Sequence, residues 1–486
     1  MIVTDHVSDC VPLRERLALG GGGVASFLGH SAIGALAIPI YQMTLGVNPA
    51  LVGIALAIPR LWDGLIDLGV GRASDNARTR FGRRRPFIVM GAISSGLAFA
   101  VLWLVPESFG DVAAATYLML VTAVFYTAFT VYSVPYQALI FEVSSDYDER
   151  TRVASYPTFF AKLAEAGYIW LVPLAQLAVF GSLIQGMRWV GIGIGVLVFA
   201  VLGSLSGLLV RERSARSDSG GRAVRIVDVL RQSWRLRAVR VLLVLIGLQS
   251  ISGAVASTLD YYLIVYSMCD GDIAMGSVWK AVLSSGYAAV GVVGVFVARA
   301  LAVRLQKHVV LVIAYVLVAV GGVVKWFVFT PGMPFLILLD PLFCGFVYAA
   351  LGVVVTSMLA DVCDEDESAF GMRREATYAG VFSFSRKAAG SLALLSTGGL
   401  LAWSGFDEML GGDQPAGVVY ALRVMLAGTT VLTAIGAIIA LFRYPLSRAS
   451  AHETKAALET RRGVREPVTL ADTAESDTRA SREGSL

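Results

Sequence analysis

Twelve stretches of about twenty or more mostly apolar residues run along this chain, and one soluble domain could not bury them all. They cover roughly residues 17–44, 49–73, 87–105, 113–142, 154–180, 188–210, 239–267, 277–303, 309–329, 334–361, 376–403 and 417–442. A helix rises 1.5 Å per residue, so about 20 apolar residues cross the hydrocarbon layer of a bilayer. Inside that layer every backbone polar group must be satisfied internally, which leaves helices or a closed barrel. The stretches lack the alternation of barrel strands about ten residues long. The expected fold class is therefore an all-α membrane protein of twelve transmembrane helices. Composition agrees. The chain is 56% hydrophobic and only 16% charged, where soluble chains carry about 25% charge. A soluble enzyme and a disordered scaffold are both excluded. The 50 glycines suit close packing of membrane helices.

Loop charge sets an expected orientation. Arg78, Arg80, Arg83, Arg84 and Arg85 lie between spans 2 and 3, and a longer arginine-rich segment lies between spans 6 and 7. The loops between spans 1 and 2, 3 and 4, and 11 and 12 hold no Lys or Arg. By the positive-inside rule both termini are cytoplasmic, in the cell (inner) membrane. No basic stretch, short apolar core and cleavage site open the chain, so the first span is expected to be retained. The organisation follows: 1–16 as a cytoplasmic N-terminus, 17–210 as a six-helix half, 211–238 as a central loop, 239–443 as a second six-helix half, and 444–486 as a disordered cytoplasmic tail rich in polar residues. Within the central loop, Val224, Val227, Leu230 and Trp234 share one helical face. That pattern fits an interfacial helix or a flexible linker.

A weak internal repeat links the halves. Glu142, Asp146, Asp148, Glu149 and Arg150 follow span 4, while Asp361, Asp364, Asp366, Glu367, Arg373 and Arg374 follow span 10. Two parallel six-span halves with a site between them are the sequence trace of the major-facilitator fold.

Charges inside spans are functional candidates by default, because each costs about 2.5–3.5 kcal/mol on insertion scales. In span 2, Asp63 and Asp67 are one helical turn apart on one face. Asp63 lies about 14 residues, or ~21 Å, into the span. Two such carboxylates in a low-dielectric interior need a proton, a metal cation or a fixed basic partner. Span 11 offers Arg386 and Lys387 at similar depth, pointing to different sides. Lys162 and Glu165 in span 5 fit a local ion pair or a cavity role equally well. Asp260 and Asp340 sit in the outer parts of spans 7 and 10. Lys280 and Lys325, near the outer ends of spans 8 and 9, are expected to snorkel. His30, beside Ser26 and Ser31, reads as a satisfied imidazole before it reads as a proton relay. The Gly20–Gly23 run lacks the spacing of a phosphate loop and fits close backbone approach. No Ser-His-Asp, HExxH or Walker pattern supports an enzyme. The four cysteines and four histidines are scattered, so neither a metal site nor a disulfide framework is expected.

Together these residues resemble the glycoside–pentoside–hexuronide:cation symporter family of the major facilitator superfamily. The resemblance rests on Arg60-Leu-Trp-Asp63-Gly-Leu-Ile-Asp67, Gly71-Arg-Ala-Ser-Asp75, Arg80-Phe-Gly-Arg-Arg-Arg-Pro86, Val134-Pro-Tyr136, Asp148-Glu-Arg-Thr-Arg152, Ala360-Asp-Val-Cys-Asp-Glu-Asp-Glu367 and Arg373-Arg-Glu375 leading to Arg386-Lys387. It is strong over spans 1–5 and 10–11. It implies that Asp63 and Asp67 bind the coupling cation, that Thr130 adds an oxygen, and that Lys387 links the halves. It also shows departures. Ile66 stands where the family's best-known member has Asn, Ser133 replaces a sugar-binding acid, Gln137 a tryptophan, and Thr158 an arginine, while Phe27 aligns near a further acid.

The expected activity is cation-coupled symport of a sugar, glycoside or related polar solute by alternating access. A proton-driven exporter of an amphipathic metabolite or lipid, and a non-transporting receptor, are the alternatives. Lys387, Ser133, Gln137, Lys162, Asp260 and His30 are expected to line the solute cavity. Asp75, Arg83, Arg84, Glu142, Arg150, Asp361, Arg373 and Arg374 are expected to gate the cytoplasmic side. No cofactor is expected. The coupling ion is expected to be a proton rather than sodium, because Ile66 removes an amide oxygen that a hard metal ion would use. The partners expected are a small solute and membrane lipids, not nucleic acid, with the chain monomeric.

Overall fold

A computed structural model describes residues 11–77, 79–143, 147–212, 236–370, 375–407, 410–446, 453–454 and 457–458. Long helices occupy all twelve expected stretches: α1 (Leu13–Ala37), α2 (Pro49–Asn76), α3 (Arg85–Leu102), α4 (Asp111–Glu142), α5 (Tyr147–Gly167), α6 (Leu183–Ile194), α7 (Arg237–Tyr262), α8 (Ile273–Arg304), α9 (Lys307–Val328), α10 (Leu339–Ala350), α11 (Glu375–Trp403) and α12 (Ala416–Leu441). No strand occurs among the described residues. Several helices continue past a local change of winding. α5 leads through a short 3-10 turn to Leu171–Ala175, α6 runs on to Leu209, and α10 runs on through Thr356–Phe370. The segment 218–237 and the tail 444–486 lie almost wholly outside the described residues.

Nine helices among the described residues are long and apolar enough to cross a membrane. The three that are not, α2, α5 and α11, are of sufficient length but carry the charged residues singled out above, including Asp63, Asp67, Lys162, Glu165 and Lys387. The polarity that weakens their apolar signal is the polarity of the candidate site.

Each half has its own core. In the first half Phe99, Phe125, Phe129 and Phe199 stack and tilt against one another, with Tyr132 and Tyr136 extending the cluster. In the second, buried residues of α7, α9, α10 and α12 pack together, including Leu242, Leu245, Tyr315, Val347 and Ala437. The glycine run lets α1 lie directly on α4 and α5. A Cβ on Gly22 would meet the Tyr136 ring at 2.4 Å, and one on Gly23 would meet the Pro157 carbonyl oxygen at 2.5 Å. The Tyr132 and Tyr136 hydroxyls donate to the Gly22 and Leu19 carbonyls, both at 2.6 Å, which ties the helices at that close spacing. Because the Gly23 obstruction is backbone, Gly23→Val should destabilise the folded protein by about 1–3 kcal/mol, the range of overpacked sites. A lowered thermal unfolding midpoint in detergent checks this.

The two halves meet at mid-depth and at the end of the bundle opposite the arginine-rich 77–84 loop. At that opposite end Tyr262 Oη donates to Gln42 Oε1 at 2.8 Å, and a Cβ on Gly398 would lie 2.6 Å from the Pro49 carbonyl oxygen. Trp170 Nε1 donates to Ser285 Oγ at 3.1 Å. At the arginine-rich end each half has an ion pair of its own. Arg16 pairs with Glu149 at 3.2 Å in the first, and Lys307 with Asp361 at 2.5 Å in the second. The halves are thus drawn together at one end of the bundle.

Candidate cation and solute sites

Asp63 and Asp67 project from α2 towards α4 and α11, the two helices on which α2 packs. Pro59 lies inside α2 immediately before Arg60 and removes one N–H from the ladder, so the helix is weakened where the charged motif begins. Thr130 of α4 donates its hydroxyl to Asp63 Oδ1 at 2.6 Å, with Asp67 Oδ1 3.4 Å away. Lys387 of α11 places its ammonium between both acids. It donates to Asp67 Oδ2 at 2.6 Å and lies 2.8 Å from Asp63 Oδ2. The latter contact is ionic only, because Asp63 Oδ2 receives no well-angled hydrogen bond. Gly64 leaves room for two α11 side chains: a Cβ there would lie 3.2 Å from the Phe384 ring and 3.8 Å from the Lys387 stem. Arg386, the neighbouring residue, is exposed instead.

The four groups differ in access. Thr130 is 0% exposed and the Asp63 side chain 2%, while the Asp67 side chain is 31% exposed. Asp67 lies one turn nearer the arginine-rich end, so it faces the route by which an ion would arrive from that side. Arg60 completes the cluster. Its guanidinium donates to the His30 carbonyl and the Tyr126 hydroxyl, both at 2.8 Å, and sits over the Tyr126 ring at 5.4 Å. Its partners are neutral oxygens, so of the two cations only Lys387 contacts the carboxylates. Sequence reading left Arg60 without a role, although its i, i+3 spacing to Asp63 placed it on the same face.

The remaining expected residues are dispersed. His30 Nδ1 bonds the Ser26 carbonyl at 2.8 Å and its ring meets Phe129 edge to face at 4.9 Å, so the imidazole is held by its own helix. Ser133 is buried one turn along α4 from Thr130, and Gln137 is exposed one turn further. Lys162 and Glu165 form the local pair at 2.5 Å, well exposed. The backbone amides of Arg83 and Arg84, with that of Arg85, donate to the Glu212 carboxylate at 2.8–3.2 Å, which fixes the 77–84 loop to the first half. The side chains of Asp75, Glu142 and Arg150, and residues Arg373 and Arg374 entirely, lie outside what the structure describes.

Two expectations fail. Neither Lys280 nor Lys325 snorkels. Lys325 is 2% exposed and pairs at 2.5 Å with Asp340, which is fully buried and also accepts from Tyr287 at 2.7 Å. Lys280 pairs at 2.5 Å with Asp260 and donates to the Ser257 carbonyl at 3.0 Å. The reason is the same in both. A carboxylate on the adjacent helix compensates the ammonium inside the bundle, so the long side chain need not reach water. Such partners lie 15 and 20 residues away in sequence and carry no local signal.

Comparison with known proteins places the chain. A family model described as MFS/sugar transport protein matches residues 20–448. An uncharacterized symporter of Synechocystis is 24% identical over 86% of this chain and 91% of its own length. An Escherichia coli protein named as a putative glycoside/cation symporter, YagG, is 23% identical over 90% of this chain and 93% of its own. Among solved structures, a point mutant of the nucleoside transporter NupG superposes with a TM-score of 0.64 at 13% identity, covering 89% of this chain and 100% of that one. At that identity the likeness shows the fold.

Proposed function

We propose, for a chain that belongs to the MFS/sugar transport protein family, that the Lys387 ammonium shared by Asp63 and Asp67 is the device that couples cation to solute. The chain is a multi-pass membrane transporter and not an enzyme. It carries a small-molecule solute by cation-coupled symport. Its substrate is a sugar, glycoside or related polar compound, and both termini face the cytoplasm of the cell that holds it in its inner membrane.

The observation that carries the reading is charge accounting at one point. Lys387 pairs with both Asp63 and Asp67, and with Arg60 on the same face of α2 the four side chains sum to zero formal charge. A cation that joins it leaves one excess positive charge in a low-dielectric interior, an unfavourable state unless a basic group withdraws. Lys387 is the group on the opposite half, so its release frees α11 to move against α2. Cation binding is thereby tied to the relative position of the halves, which is what alternating access requires.

The ion we assign is a proton. The donors within reach are the two carboxylates and the Thr130 hydroxyl, while Ile66 supplies no amide oxygen. Hard metal ions prefer larger oxygen cages. A proton needs only one carboxyl, and Asp67 is exposed enough to take it. Accumulation into proteoliposomes under a pH gradient with symmetrical sodium is the expected result, abolished by a protonophore. Accumulation driven by a sodium gradient at clamped pH, and indifferent to the protonophore, would refute the assignment.

A further inference from the structure

At the arginine-rich end of the first half, acids and arginines point in opposite directions. The acids are engaged internally. Glu15 is buried and accepts from the Arg211 amide at 3.4 Å. Glu149 pairs with the buried Arg16 and accepts from the Val11 amide at 2.8 Å. Glu212 takes the three backbone amides that lead into α3. Arg14, Arg80 and Arg211 are exposed instead, and among the described residues none of them has a carboxylate within ion-pair distance.

The same hydrogen bonds gather these arginines on one seam. Glu15 ties the start of α1 to the end of the α6 continuation, and Glu212 ties that end to the 77–84 loop. Arg85 reinforces the second tie by donating to the Gly207 and Leu208 carbonyls at 2.7 and 2.6 Å. The loop itself is a fixed turn. Gly82 donates its N–H to the Thr79 carbonyl at 3.2 Å and has a φ of +109°, a conformation that favours glycine. A Cβ there would also lie 2.9 Å from a Glu212 carboxylate oxygen. The turn presents Phe81, 60% exposed, with the Arg80 guanidinium 4.7 Å from its ring centre. Beside the arginines the surface becomes apolar. Leu13 and Leu17 of α1, one turn apart, and Leu208 and Leu209 are all exposed, and all four belong to helices apolar enough to cross a membrane.

We propose that this seam between α1, α3 and α6 is a binding site for an anionic phospholipid, with Arg14, Arg80 and Arg211 holding its headgroup. Exposed leucines rimmed by guanidinium groups match a phospholipid end to end: acyl chains lie along the leucines, and the phosphate accepts charge-assisted hydrogen bonds at the rim. Charge selects the headgroup. Three arginines without acid partners are complemented by a net negative headgroup, whereas a zwitterionic one brings an ammonium that they repel. The site is separate from the cation cluster and stands whether or not the transport reading holds.

The test uses the full chain purified in a neutral detergent, with phosphatidylglycerol and phosphatidylcholine of identical acyl chains as probes. Native mass spectrometry should retain phosphatidylglycerol in preference to phosphatidylcholine, and the preference should weaken as salt is raised. Arg80→Gln should weaken the first phosphatidylglycerol adduct about fivefold, and Arg14→Gln, Arg80→Gln and Arg211→Gln combined should weaken it about a hundredfold. All three side chains are exposed, so the fold should survive their loss. Arg237→Gln, Arg240→Gln and Arg304→Gln combined remove three exposed arginines from the second half instead and should leave the first adduct in place. Equal retention of the two lipids would overturn the proposal. So would equal losses in the two triple variants, which would reduce the effect to overall charge. Displacement of phosphatidylglycerol by soluble glycerol 1-phosphate at millimolar concentration would do the same, since it would mark a site for a free anion.

Discussion

Asp63→Asn should reduce gradient-driven solute accumulation to the level of protein-free vesicles, with folded protein recovered at close to the wild-type yield. The substitution keeps the volume and removes a charge that is 2% exposed. An amide can still accept from Thr130, so the helix contact survives, and Lys387 keeps its hydrogen bond to Asp67. Removing one member of a buried charge pair is ordinarily strongly destabilising because it strands the other. Here Lys387 is not stranded, and so stability should hold. Electrically the variant resembles a cluster that has permanently taken up its proton, with one carboxylate left for Lys387. It should therefore still exchange solute for solute across the membrane by counterflow, while losing the ability to couple that movement to a gradient. Concentrative uptake by the Asn variant at wild-type rate would sink the assignment of Asp63 to the cation step. Loss of both counterflow and folded protein would show that the carboxylate is structural.

The parts of this arrangement that could be read in the sequence share one property. They are local along a helix. Asp63 and Asp67 announce themselves because two acids one turn apart have no apolar explanation within a span. The span boundaries follow from runs of apolar residues, and only the helices bearing the site blur that signal. What could not be read is what depends on packing between helices distant in sequence. Lys387 lies 320 residues from Asp67, and only its family resemblance, not its spacing, indicated that it rather than Arg386 faces the acids. Arg60 was visible as a charge, but its partners are a carbonyl on α1 and a hydroxyl on α4. The Lys325–Asp340 and Lys280–Asp260 pairs were misread because a lysine near a helix end has a simpler explanation until the neighbouring carboxylate is placed beside it.

Lys387→Ala should be more damaging than any other single change at the cluster, and damaging in a different way from Asp63→Asn. It removes the group that contacts both acids, at 2.8 and 2.6 Å, and leaves two carboxylates facing each other, Asp63 buried and Asp67 31% exposed. Breaking a buried pair by deleting one partner costs about 3–5 kcal/mol. The expected result is a lowered unfolding midpoint together with loss of both accumulation and counterflow. Arg386→Ala, at an exposed neighbouring position, should change either measure little. Lys387→Arg should restore stability more than transport. A planar guanidinium can pair with the acids, but it needs more room than the compact ammonium and binds carboxylates in a fixed fork that resists release. The decisive variant is the double one. If the acids and the lysine form a single electrostatic unit, Asp63→Asn in the Lys387→Ala background should recover stability, because it removes the repulsion the lysine had offset. Additive losses in the double variant would mean that Lys387 acts elsewhere, and the coupling device would then have to be sought away from α2 and α11.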